Sequence, residues 1–131
     1  MTAFAAPTTE TAVTEAVRAA NSQNTAVQII AGGTRGRIGS LRSGYECLDV
    51  SGVAGITRYE PGALTLEAKA GTPIVQIEAA LDAKNQMLAF EPMDHRALMG
   101  TQGTPTIGGV VACNVSGPRR FISGACRDFL L

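Results

Sequence analysis

"GTQGTPTIGGVVACNVSG", residues Gly100–Gly117, gathers five glycines, three threonines and one serine around the apolar run Val110–Ala112. The pattern predicts a Gly- and Thr-rich loop entering a short helix near Gly108 and continuing through Val110–Asn114, where Ser116-Gly117-Pro118 breaks it. Glycines at such a start are expected to leave backbone N–H groups and the positive end of the helix dipole facing an anion. Asn114 and Ser116 offer polar groups to a flat ring edge. The plainer alternative is a connector whose glycines permit close packing.

Working back from this stretch, Glu91–Gly109 reads as one long irregular loop, a length that in a compact domain usually marks function or mobility. Met87–Phe90 before it reads as a short strand or extended piece. Earlier still, Ile74, Ile77 and Leu81 form the apolar stripe of a helix that ends near Lys84–Asn85, with Thr72 as expected N-cap and Pro73 as first helical residue. Leu64, Leu66, Ala68 and Ala70 alternate with polar residues, so Ile56–Glu60 and Leu64–Ala70 predict a hairpin around Pro61-Gly62. Glu46–Val50 and Val27–Ile30 read as strands, with Asp49 capping a turn, and Thr8–Asn21 as a helix capped by Thr8 or Thr9. The order predicts an α+β or α/β fold in one unit, residues 1–131, with no internal repeat.

A second glycine loop, "AGGTRGRIGS" at Ala31–Ser40, follows the strand Val27–Ile30. Successive N–H groups in such a turn can converge on an anion, with Thr34, Ser40, Arg35 and Arg37 adding hydroxyls and charge. Neither common nucleotide template fits. The glycines at 32, 33, 36 and 39 miss the dinucleotide fingerprint, and no Gly-Lys-Ser/Thr triplet makes a P-loop. Two glycine loops, each after an apolar segment, point to one extended ligand touched at two places along its length.

Composition narrows the classes. The chain has 131 residues, 45% of them hydrophobic, and its 11 basic residues balance its 11 acidic ones. That balance gives no argument for nucleic acid or an anionic membrane surface, and with no tryptophan and few aromatics a base-stacking platform is not expected. The three cysteines, Cys47, Cys113 and Cys126, are neither a disulfide framework nor a zinc signature, and read as buried reduced thiols of a cytoplasmic protein. The first residues, MTAFAAPTTE, lack the basic and apolar regions expected of a signal peptide, and no apolar run reaches the length a membrane span needs. The chain stops on Phe129-Leu130-Leu131, which predicts that the natural polypeptide is longer.

Taken together, "IIAGGTRGRIG", "LDVSGVAGITRYEPGALTLEAKAGTPI", "LAFEP" and "TIGGVVACNVSGPRRFISGACRDFLL" resemble the FAD-binding domain of the vanillyl-alcohol-oxidase, or PCMH, type. The last of these motifs is the specific one. The resemblance implies two α+β subdomains with FAD between them, of which this chain would supply the first and the start of the second. It implies a pyrophosphate cradle at Ala31, Gly32, Gly33, Thr34, Arg35 and Gly36, with Ile38 nearby. It places Pro92, Gly103, Thr104, Ile107, Gly108, Gly109, Asn114 and Gly117 along the rest of the cofactor. Arg127 and Asp128 are expected in a structural ion pair or turn, and Arg119 and Arg120 on the solvated surface.

The implied activity is oxidation of a small 2-hydroxy acid, glycolate first, in a complex with a second flavin subunit and an iron–sulfur subunit. Any membrane contact would come through those partners. The alternatives are a non-catalytic FAD-holding or scaffolding subunit, and another FAD-linked oxidase of the same fold. Some relatives attach FAD through a histidine in the first glycine loop; Thr34 and Arg35 stand there, so non-covalent FAD is expected. His95, the sole histidine, reads as a solvent or hydrogen-bonding residue rather than a base beside the flavin, and no catalytic residue is assigned. Asp94 and Glu91 lack a third ligand at suitable spacing, so no metal is expected.

Overall fold

Short segments bounded by turn residues build the first sheet. The computed structural model describes residues 3–36 and 44–131. Three strands, β1 (Ala3–Ala5), β2 (Val27–Ile30) and β3 (Glu46–Asp49), form a parallel sheet in the order β1-β3-β2. The central strand β3 buries Cys47 and Leu48 almost completely. β1 and β2 are joined through helix α1 (Glu10–Ser22), which Thr9 caps by accepting the Ala12 N–H at 3.2 Å. β2 falls where the sequence places it. β1 was not expected: three residues are too few to show a period.

A two-stranded antiparallel sheet follows, β4 (Ile56–Glu60) with β5 (Thr65–Ala68), turned by a 3-10 segment at Pro61–Ala63. Asp49 Oδ1 accepts the Ser51 N–H at 2.9 Å, the expected turn at the end of β3. Helix α2 (Ile74–Asp82) buries Ile74, Ile77 and Leu81. Its N-cap is Pro73, not Thr72. The Thr72 hydroxyl is turned the other way, onto the carbonyl of Lys69 at 2.6 Å and the N–H of Gly55 at 2.9 Å, so it ties the hairpin to the helix instead of closing the helix.

The long segment from Glu91 is not wholly irregular. It holds α3 (Arg96–Met99), ended by Gly100 in the left-handed region, and leads into α4 (Ile107–Ala112), capped by Thr106. Met87–Phe90 belongs to none of the strands among the described residues. After α4 come α5 (Arg120–Ser123) and a 3-10 segment at Cys126–Phe129. Ile74, Phe90, Val110 and Cys126 form a buried cluster against which Leu88, Ile107, Val111 and Val115 pack. This core joins α2 to α4 and fixes where the second glycine loop can stand. Cys47 and Cys126 are buried free thiols, as expected, whereas Cys113 is exposed; burial pushes the Cys126 thiol above its ordinary pKa.

Candidate functional site

The two glycine loops meet. A Cβ on Gly32 would fall on the carbonyl of Thr104, and one on Gly103 would fall on the carbonyl of Gly32. Only residues without a side chain allow the two backbones to approach so closely. The Thr101 hydroxyl donates to the carbonyl of the buried Thr34 at 3.1 Å, a second tie between the loops.

Arg35 makes the third. Its Nη2 donates to the carbonyl of Met93 at 2.9 Å and its Nε to Nδ1 of His95 at 3.3 Å. Its Nη1 lies 3.5 Å from where a Cβ on Gly109 would stand, so the guanidinium reaches the first turn of α4. Among the described residues, Gly33, at φ +67°, faces open space, where a Cβ would meet nothing within 4 Å, while a Cβ on Gly36 would meet the Gly33 carbonyl at 3.9 Å. Among the described residues, no backbone or side-chain acceptor takes the N–H groups of Gly32, Gly33, Thr34 or Arg35. Amides that find no acceptor among the described residues, beside an arginine at a glycine turn, fit an extended anionic group such as a pyrophosphate.

The start of α4 behaves differently from the expectation. The N–H of Ile107 donates to Thr72 at 2.9 Å, that of Gly108 to Ala70 at 2.8 Å, and that of Gly109 to the Thr106 hydroxyl at 3.4 Å. These amides are engaged within the protein and do not face an anion. A Cβ on Gly108 would press on Ala70 at 2.7–2.8 Å, so this glycine serves close packing.

Asn114 and Gly117 stand at a separate junction. Asn114 Oδ1 accepts the Arg127 N–H at 3.0 Å, the Ser116 hydroxyl accepts the Cys126 N–H at 2.9 Å, and Gly117 abuts Glu91, whose Oε2 accepts the Arg119 N–H at 2.8 Å. Arg127 and Asp128 are an exposed pair at 3.7 Å, and Asp128 also accepts the Ala125 N–H at 2.7 Å, the structural role expected of them. The side chains of Arg119 and Arg120 are on the surface. Ile38, Arg37 and Ser40 lie outside the described residues.

Of the predicted residues only Pro92 lines the open groove of about 670 Å³ between α2 and the 86–93 segment, whose walls include Glu78, Leu81, Asp82, Met87 and Phe90. The groove and the loop junction are therefore different places. Met93, His95 and Thr101 were missed as members of the junction; the sole histidine was the one signal that pointed there. Beside them, Asp94 is chelated by the Arg96 guanidinium at 2.7–3.1 Å and by the Arg96 N–H at 2.9 Å. Those bonds hold its carboxyl down to about 2. The pair therefore persists above the ordinary carboxylate range and is lost as pH falls through about 2.

The sequence of this chain matches a family described as FAD binding domain over residues 1–131. It is also 41% identical over 120 residues to glycolate oxidase subunit GlcE of Escherichia coli (strain K12), an alignment covering 92% of this chain and 32% of that protein. The chain thus spans about a third of the length of that curated relative. The family match along the whole chain, together with an α+β fold that brings two glycine loops together, shows that the chain belongs to the FAD binding domain family.

Proposed function

We propose that this chain is the FAD-binding portion of an oxidoreductase that oxidises a small 2-hydroxy acid, glycolate first, as one subunit of a larger complex. The interlock of Gly32 with Gly103 carries the reading, because it makes one continuous site from two loops. The amides of Gly32–Arg35 and the Arg35 guanidinium would hold the pyrophosphate, with Ala31, Gly36 and Ile38 beside them. Gly103, Thr104 and Gly109 would border the same group across the junction. Pro92, Ile107, Gly108, Asn114 and Gly117 would shape the remainder from behind, since α4 and its flanks are committed to internal bonds.

The chemistry supplied by FAD there is acceptance of a hydride from the α-carbon of the hydroxy acid. The chain's own part is to bind, orient and neutralise charge. Attachment is non-covalent: Thr34 and Arg35 occupy the loop, and His95 Nδ1 is bonded to Arg35. The relative's description as a glycolate oxidase subunit supports the substrate class and a multi-subunit setting; an iron–sulfur subunit and a second flavin subunit are the partners the resemblance implies. Free cysteines support a cytoplasmic setting. Among the described residues no helix is long and apolar enough to cross a membrane.

The purified chain is expected to be yellow and to bleach anaerobically with glycolate. Gly33→Asp should abolish flavin binding while Gly33→Asn retains it, because both side chains enter open space and differ only in charge. A folded but colourless chain, or equal binding by the two variants, would defeat the cofactor site. Bound flavin that no hydroxy acid reduces would assign a non-catalytic holding role.

A further inference from the structure

His95 Nδ1 has two neighbours that cannot both be hydrogen-bonded to it. Arg35 Nε stands 3.3 Å away and the Met93 carbonyl 3.0 Å away. Arginine only donates and a carbonyl only accepts, while Nδ1 offers either one lone pair or one proton. With the lone pair present, Arg35 bridges the turn, giving Nε–H to His95 and Nη2–H to Met93. With a proton on Nδ1, the imidazole donates to Met93 within its own turn, and the Arg35 Nε–H loses its acceptor and faces a second cation.

We propose that His95 is a positioning residue for Arg35: neutral and protonated on Nε2, it holds the guanidinium across the junction of the two glycine loops, and on protonation it withdraws the acceptor of the Nε–H and leaves Arg35 tied only through Nη2 to the Met93 carbonyl. Among the described residues, the charged groups around the imidazole are Arg35 from the first loop and, on its own segment, Asp94 and Arg96, which are paired with each other at 2.7 Å. Asp94 stays ionised throughout the range in which histidines exchange protons, so it contributes no slope there. The tie from Thr101 to Thr34 and the Gly32–Gly103 contact involve no titrating group, so acid loosens the junction at one point and leaves the loops adjacent.

The consequence for flavin rests on the proposed function, since Arg35 is one of the groups offered to the pyrophosphate. FAD affinity of the chain should fall about tenfold between about pH 8 and pH 5.5, the loss of one charge-assisted contact. His95→Asn places an amide oxygen where Nδ1 stands and should bind tightly with no slope over that range. His95→Ala should bind weakly at both ends. A flat wild-type profile, or the wild-type slope in His95→Asn, overturns the inference.

Nitrogen-15 spectra of the chain without flavin separate this from the cofactor reading. A lone pair on Nδ1 and a protected Arg35 Nε–H, both lost together in acid, uphold the positioning role even if no variant binds FAD. A proton on Nδ1 at about pH 8 overturns it whatever the flavin does.

Discussion

Gly32 and Gly103 lie backbone against backbone, and neither has room for a single methyl group. Introducing one by Gly32→Ala would drive the Cβ into the Thr104 carbonyl, so the loops must part. The expected loss is about 1–3 kcal/mol of stability, seen as a lower urea midpoint, together with a large fall in flavin affinity. Gly36→Ala, where the nearest atom is the Gly33 carbonyl at 3.9 Å, should change stability by no more than about 0.5 kcal/mol. Equal effects at both positions would show that the loops do not interlock in solution. The kind of residue needed here was legible in the sequence, since glycines announce close approach or unusual φ. The partner was not. Gly32 and Gly103 are far apart along the chain, and nothing in either loop names the other. His95 and Arg35, 60 residues apart, were hidden for the same reason.

Thr72 at the head of α2 shows how an element can be read correctly for a wrong reason. Threonine before proline at the start of an apolar stripe matches the N-terminal signature, and the helix is there, yet the hydroxyl bonds to Lys69 and Gly55. Local pattern reported the helix; tertiary contact with the turn before β4 took the hydroxyl. Thr72→Val should therefore cost about 1–3 kcal/mol, because it leaves the Gly55 N–H without its partner at a fully buried site. Thr72→Ser should recover most of that loss. Far-UV circular dichroism should show unchanged helix content in folded Thr72→Val; a selective loss of helix would mean that the residue caps α2 after all. The short elements escaped for a simpler reason. β1 has three residues and α3 four, too few for a period of 2 or 3.6 to repeat.

At the scale of the molecule, apolar side chains are divided unevenly. One side buries Ile74, Phe90, Val110 and Cys126, with the ring of Phe129 tilted against Phe90 at 6.1 Å. On α5, Phe121 and Ile122 are 91% and 92% exposed. Side chains that lose almost no water on folding contribute almost nothing to stability, but two molecules can hide them against each other. The double change Phe121→Ser and Ile122→Ser is therefore expected to leave the thermal midpoint nearly where it was, within about 0.5 kcal/mol, while raising the concentration at which the chain self-associates by about tenfold or more. Light scattering over a concentration series reads the second effect and a melting curve the first. A midpoint that drops by several degrees would mean that these side chains pack within the folded chain in solution. α5 would then belong to the core that Phe90 and Val110 anchor, and the second junction, at Asn114 and Gly117, would be braced from both sides.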